Sequence, residues 1–220
     1  MTEPTGTEPN GATAETRSGL PSWLLPAILG ALLVAMTVFT VYLWRENDTP
    51  SNDSADAGFA RDMTDHHAQA VEMALIVWQR SDDPEIQQIA YDIATSQQAQ
   101  IGMMQGWLTE WDLSLARDGV PMAWAGDMDH DMEGMSSIDD MPGMATREEI
   151  DALRTLEPEE MDREFLRLMI AHHQGGVLMA DAGVEHVEKD VLSNLASSIA
   201  NAQQLEITTM QAMLDARETS

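Results

Sequence analysis

The residues best equipped for chemistry in this chain are two pairs of adjacent histidines, His66-His67 and His172-His173. Each pair has a methionine three positions before it, Met63 and Met169, and another six positions after it, Met73 and Met179. Residues three and four apart share one face of a helix, so Met63 lies one turn from both His66 and His67. Thioether sulfur is a soft donor and imidazole a borderline one, a set that suits Cu(I) and, through imidazole, Cu(II). Zinc would have to rely on the imidazoles alone, a poorer use of the pattern. A hard-oxygen cage is not supported, because Asp62 and Asp65 give way to Leu168 and Ala171 before the second pair. No Glu-x-x-His step occurs here, against a carboxylate di-iron centre. Methionine stripes ordinarily pack a core, and a lone core histidine is ordinarily just hydrogen-bonded. Four imidazoles, each needing partners for buried nitrogens, are more than packing requires. These eight residues are the expected metal-binding set, with the first histidine of each pair the better ligand and its neighbour a candidate for a supporting role.

Such a set needs two helices that face each other. Phe59, Met63, His66, Ala70, Met73 and Val77 step by four and three, which makes one narrow helical seam. Phe165, Met169, His172, Gly176, Met179 and Gly183 repeat it at an offset of 106 residues. The same offset pairs Ile93 with Ile199, Gln97 with Gln203, Met104 with Met210 and Leu108 with Leu214. The expectation is a helical hairpin present twice, with second helices near 84–111 and 190–216. Two hairpins joined by one long connection at 112–160 imply an all-α, ferritin-like four-helix bundle. Asp83-Pro84 and Pro158 read as helix starts, and Thr146 with Glu149 as a capping box. Gln97 and Gln203 are candidates to hydrogen-bond the non-ligating imidazole nitrogens, or are ordinary polar helix residues.

The connection carries Met128, His130, Met132, Met135, Met141 and Met144 among acidic residues and glycines. Two readings stand. These side chains form a flexible set of soft donors that captures metal, or the loop folds back and covers the bundle with them.

Composition narrows the function classes. Among 220 residues, 38 acidic side chains against 11 basic ones give a net charge of −27, which repels nucleic acid and attracts cations. Cysteine is absent, which removes disulfides, zinc-thiolate sites and thiol catalysis. Residues 1–22 read as a disordered tail, Trp23 to Trp44 as an uncharged transmembrane signal anchor, 45–57 as a linker and 58–216 as the metal-binding domain. Trp23, Tyr42 and Trp44 sit where an aromatic belt would lie. A cleaved signal peptide is the rival for the apolar run; its core would be shorter. Arg17 and Arg45 flank the run and give little orientation bias, so an outward-facing C-terminal domain at the cell membrane follows from secretory-type insertion of an N-terminal anchor.

His-His-x5-Met-Ala in both halves, the lead-ins Phe59-Ala60-Arg61-Asp62-Met63 and Phe165-Leu166-Arg167-Leu168-Met169, and Met141-Pro142-Gly143-Met144 resemble the bacterial domain-of-unknown-function family three hundred and five. The resemblance covers the chain from about residue 58 to 216. It implies an exported, ferritin-like bundle, some of whose relatives are periplasmic copper-binding proteins, and it implies the same eight His and Met ligands. The second half has Gly175-Gly176 where the first has Gln69-Ala70, a difference expected to bear on helix stability beside the site.

Three functions remain open: a tethered copper buffer or chaperone serving a copper-handling partner, a copper-dependent redox enzyme, and a helical interaction domain without metal. Imidazole must be neutral to coordinate, so copper binding is expected to weaken below about pH 6.

Overall fold

The computed structural model describes residues 21, 23–46, 49–117, 119–126 and 135–219. Among them the regular structure is entirely helical, and the chain divides into two compact units, Met1–Asp48 and Thr49–Ser220. The first unit holds α1, Leu24–Glu46. Its 20-residue stretch Leu24–Leu43 has a mean hydropathy of 2.4, long and apolar enough to cross a membrane, a property that signal sequences share. Thr37 and Thr40 turn their hydroxyls back onto the carbonyls of Leu33 and Met36, both at 2.8 Å, so neither leaves a bare donor on the apolar surface.

The second unit is built from α2 (Ala55–Arg80), α3 (Pro84–Glu110), α4 (Arg147–Leu153), α5 (Pro158–His186) and α6 (Asp190–Glu218). Ser54 starts α2 by accepting from the Ala57 amide at 3.2 Å, so the helix begins ahead of the expected boundary at 58 and shortens the linker. Asp83 caps α3 through the Glu85 amide at 2.8 Å, with Pro84 in the first turn. Thr146 and Glu149 form a capping box on α4, and Pro158 opens α5.

α2 packs against α3, α5 against α6, and the hairpins meet through α2 and α5, which run antiparallel. A Cβ at Gly183 on α5 would sit 2.6 Å from the Phe59 ring, so glycine there lets α5 approach the N-terminal end of α2. The opposite ends meet through Asp162, which accepts from the Ser81 hydroxyl at 2.9 Å, in the turn between α2 and α3. Asp56 does the corresponding thing across the bundle, accepting from the backbone of Glu188 at 3.1 Å and Lys189 at 2.8 Å, in the turn between α5 and α6. Each hairpin thus fastens the turn of the other.

Two apolar clusters fill the bundle. One gathers Met73, Val77, Ile86, Ile93, Phe165, Met169 and Met210; the other gathers Phe59, Met63, Met104, Met179, Leu192 and Ile199. Along α2 and α5 the histidines fall between them. Early in the connection between the hairpins, Arg117 pairs with Asp62 at 2.6 Å and with Asp65 at 2.5 Å. Asp62, only 1% exposed, also accepts from the Met122 amide at 2.6 Å and the Trp124 indole at 2.8 Å. That indole lies edge-on to Phe59 and against the bare face of Gly58.

Candidate metal centre

The helical seams bring all four histidines into the bundle interior, each fully buried. His66 from α2 and His172 from α5 stack with ring centroids 3.8 Å apart and planes tilted by 34°. His67 and His173 flank this pair, with centroids 6.5 Å from His66 and 6.3 Å from His172 respectively.

Their hydrogen bonds decide which nitrogen carries a proton. His66 Nε2 lies 3.0 Å from the Pro142 carbonyl, and His67 Nε2 lies 2.7 Å from Gln100 Oε1. His173 Nε2 lies 2.7 Å from Glu206 Oε2. All three partners are acceptors, so each ring donates from Nε2 and keeps its lone pair on Nδ1. The Nδ1 atoms of these rings, and both nitrogens of His172, are buried without a hydrogen-bond partner. Burial pushes the His66 imidazole down to about 4, against the help of the Pro142 carbonyl. It pushes His67 down to about 3, reinforced by the neighbouring His66. His172 is held well below the ordinary value by burial first and by the adjacent imidazoles second. These three rings are neutral at physiological pH.

The four methionines divide between the ends of this layer. Met63 and Met179 lie in one apolar cluster, Met73 and Met169 in the other, all fully buried. Gln97 and Gln203 are each 2% exposed, and both polar atoms of each amide lack a partner. The imidazole partners instead are Gln100 and Glu206, three residues further along α3 and α6. Sequence comparison missed them because it followed identities: these two positions keep the same offset of 106 residues but differ in type.

A strap from the connection closes over the layer. Gln69 on α2 clamps it, accepting from the Ala145 amide at 2.7 Å and donating to the Ala145 carbonyl at 2.9 Å. Gly143, at φ +75°, lies so close to α5 that a Cβ there would reach within 3.0 Å of His172 Cα. A Cβ at Gly175 would run into the Pro142 carbonyl, and one at Gly176 into the end of the Gln203 side chain. The contrast between Gly175-Gly176 and Gln69-Ala70 therefore concerns docking: one half grips the strap and the other makes room for it. Met141 is 2% exposed within the cluster of Met63 and Met179, and Met135 and Met144 pack against the same cluster. Those three side chains cover the bundle; Met128, His130 and Met132 lie outside the described residues. His186 is exposed at the end of α5.

Among the described residues no three His, Asp or Glu side chains gather as a ready cage. An ion at the stacked pair would have to complete its shell from thioether sulfur, which favours a soft metal, or from amide oxygen, which does not.

The profile of a domain of unknown function, DUF305, matches residues 56–214. A Streptomyces coelicolor DUF305 protein, provisionally described as secreted, is 44% identical with a TM-score of 0.69, over 76% of this chain and 96% of that one. A DUF305 fragment from Deinococcus radiodurans is 31% identical with a TM-score of 0.61, over 74% and 96%. CopM in its Cu(I)-bound form is 27% identical with a TM-score of 0.55, over 73% and 96%, and it has also been solved with Cu(II) and with silver. No curated protein matches the chain. The family profile spans well over half of the chain, and the chain belongs to the DUF305 family.

Proposed function

We propose that the helical unit binds copper at the histidine layer, with α1 anchoring it to a membrane and the bundle facing away from the cytoplasm as a buffer or delivery module. The donors are the bare nitrogens of His66 and His172, supported by His67 and His173 and by the sulfurs of Met63, Met73, Met169 and Met179. The observation that carries this is the concentration of unpartnered buried polar atoms in one layer: imidazole nitrogens of all four rings and the whole amides of Gln97 and Gln203. Each such atom costs about 1–3 kcal/mol when left unsatisfied, a penalty that an interior evolved only for packing would avoid. Neutral imidazoles and thioethers supply soft coordination that holds the ion away from water. The copper- and silver-bound forms of CopM support the choice of metal. Met135, Met141 and Met144 serve as the wall of this site.

Anaerobic Cu(I) titration of the detergent-solubilised protein tests it. The His66→Ala/His172→Ala variant should lose binding by more than tenfold; wild-type affinity in that variant would remove the layer from consideration.

A further inference from the structure

The two halves hold their second histidines with the same 2.7 Å bond but with different chemistry, an amide from Gln100 on His67 and a carboxylate from Glu206 on His173. Among the described residues, the other groups that the four rings bond to or stack against are neutral: the Pro142 carbonyl, the Gln100 amide and the rings themselves. The buried carboxylates elsewhere are engaged. Asp62 is held by Arg117, Asp56 by the α5–α6 turn, and Asp162 accepts from Ser81. Glu206 is 25% exposed at its side chain, so it joins the buried layer to solvent.

We infer that Glu206 fixes the charge the layer accepts: one carboxylate beside otherwise neutral donors balances one positive charge, which fits a monovalent soft cation. This rests on the proposed metal site. Uncompensated charge in a buried layer is strongly disfavoured, so the sum of ion and ligand charges matters as much as donor softness. A monovalent ion with one carboxylate sums to zero; a divalent ion leaves one charge over. A second carboxylate would reverse that order. The net charge of −27 spread over the chain draws in cations of every kind and makes no such distinction. Glu206 acts through His173, as a positioning and charge-setting residue.

Two conservative variants test this in the full-length protein in detergent, with Ag+ as an air-stable monovalent probe and Zn2+ as the divalent one. Glu206→Gln keeps an acceptor for the His173 N–H, as Gln100 does for His67, while removing the charge. It should weaken Ag+ on the order of tenfold to a hundredfold, the Coulomb effect of one charge several ångströms away in a partly shielded site. Gln100→Glu adds the second carboxylate and should shift the Zn2+ to Ag+ affinity ratio at least tenfold toward zinc. Unchanged helical circular dichroism and histidine 15N shifts would show that the variants keep fold and tautomers. Ag+ binding within twofold of wild type in Glu206→Gln, or an unmoved ratio in Gln100→Glu, overturns the charge assignment while the metal site stands. Wild-type protein that takes up neither ion overturns the site itself. Should either variant fail to fold, the other decides alone.

Discussion

In the first hairpin, His66 is tied to the Pro142 carbonyl, Gln69 grips the strap at Ala145, and Arg61 is buried in a nest of carbonyls. In the second, His172 has no partner, Gly175 only yields space to the strap, and Arg167 lies at the surface against Glu218. The same helical seam thus supports a fastened half and an accommodating half. On the proposed function, the accommodating half is the one that can rearrange around an ion, since a layer pinned on every side could not.

Acid should have the largest effect, and it would break the comparison by acting on both halves together. His66 and His67 sit near 4 and 3 when folded, and His172 is also depressed, against 6.5 in the unfolded chain. The unfolded state therefore takes up protons first as pH falls. Stability is fully present above pH 6.5 and is lost progressively from there toward pH 4. The carboxyls of Asp65 and Asp162, which burial pushes up, work in the opposite sense nearer their own range. Urea midpoints should hold from pH 7.5 to about 6.5 and then decline toward pH 4; a flat profile would mean that the imidazoles are not buried as described. Metal binding by protein that is still folded should persist between pH 6 and 5.

Substitution at Arg61 and Arg167 sharpens the contrast. Arg61 donates to the Asn52 carbonyl at 2.8 Å, the Asn52 side chain at 2.6 Å and the Ser114 carbonyl at 2.9 Å, and is 4% exposed. Arg61→Ala should cost about 3 kcal/mol in chemical unfolding, since three acceptors lose a charged donor. Arg167→Ala, at an exposed ion pair, should leave the unfolding midpoint close to that of the wild type. Equal losses would erase the distinction between the halves.

The smallest effect compares neighbouring glycines. Helix propensity alone favours alanine over glycine by about 1 kcal/mol. Gly175→Ala should nevertheless destabilise by about 1–2 kcal/mol, because the obstruction is the backbone of Pro142. At Gly176 the obstruction is the flexible end of Gln203, so Gly176→Ala should lie near neutral. Thermal melts of the two variants side by side would show the difference.

Much of the frame was legible beforehand. The four-and-three steps from Phe59 to Val77 and from Phe165 to Gly183 define the buried faces, and Asp83-Pro84, Thr146 with Glu149, and Pro158 mark helix starts that the structure contains. That the connection folds back over the bundle was one of the two readings; how the strap docks was not legible, because it does so through a backbone carbonyl and through missing side chains. Neither leaves a residue-type signature, and the methionines of Met141-Pro142-Gly143-Met144 drew attention that belonged equally to Pro142 and Gly143. Gln97 and Gln203 stood out because they are identical, yet Gln100 and Glu206 make the bonds. The depressed imidazole values were hidden for another reason: spacing shows which face a histidine occupies, whereas the depth of burial depends on what closes over it.

The crossed fastening of the turns has a consequence for how the molecule comes apart. Asp56 from the first hairpin secures the bend of the second, and Asp162 from the second secures the bend of the first through Ser81. A hairpin peeled away would leave its own bend loose and its neighbour's bend undone. Melting should accordingly be a single all-or-none event across residues 49–220, with no stable half-molecule along the way.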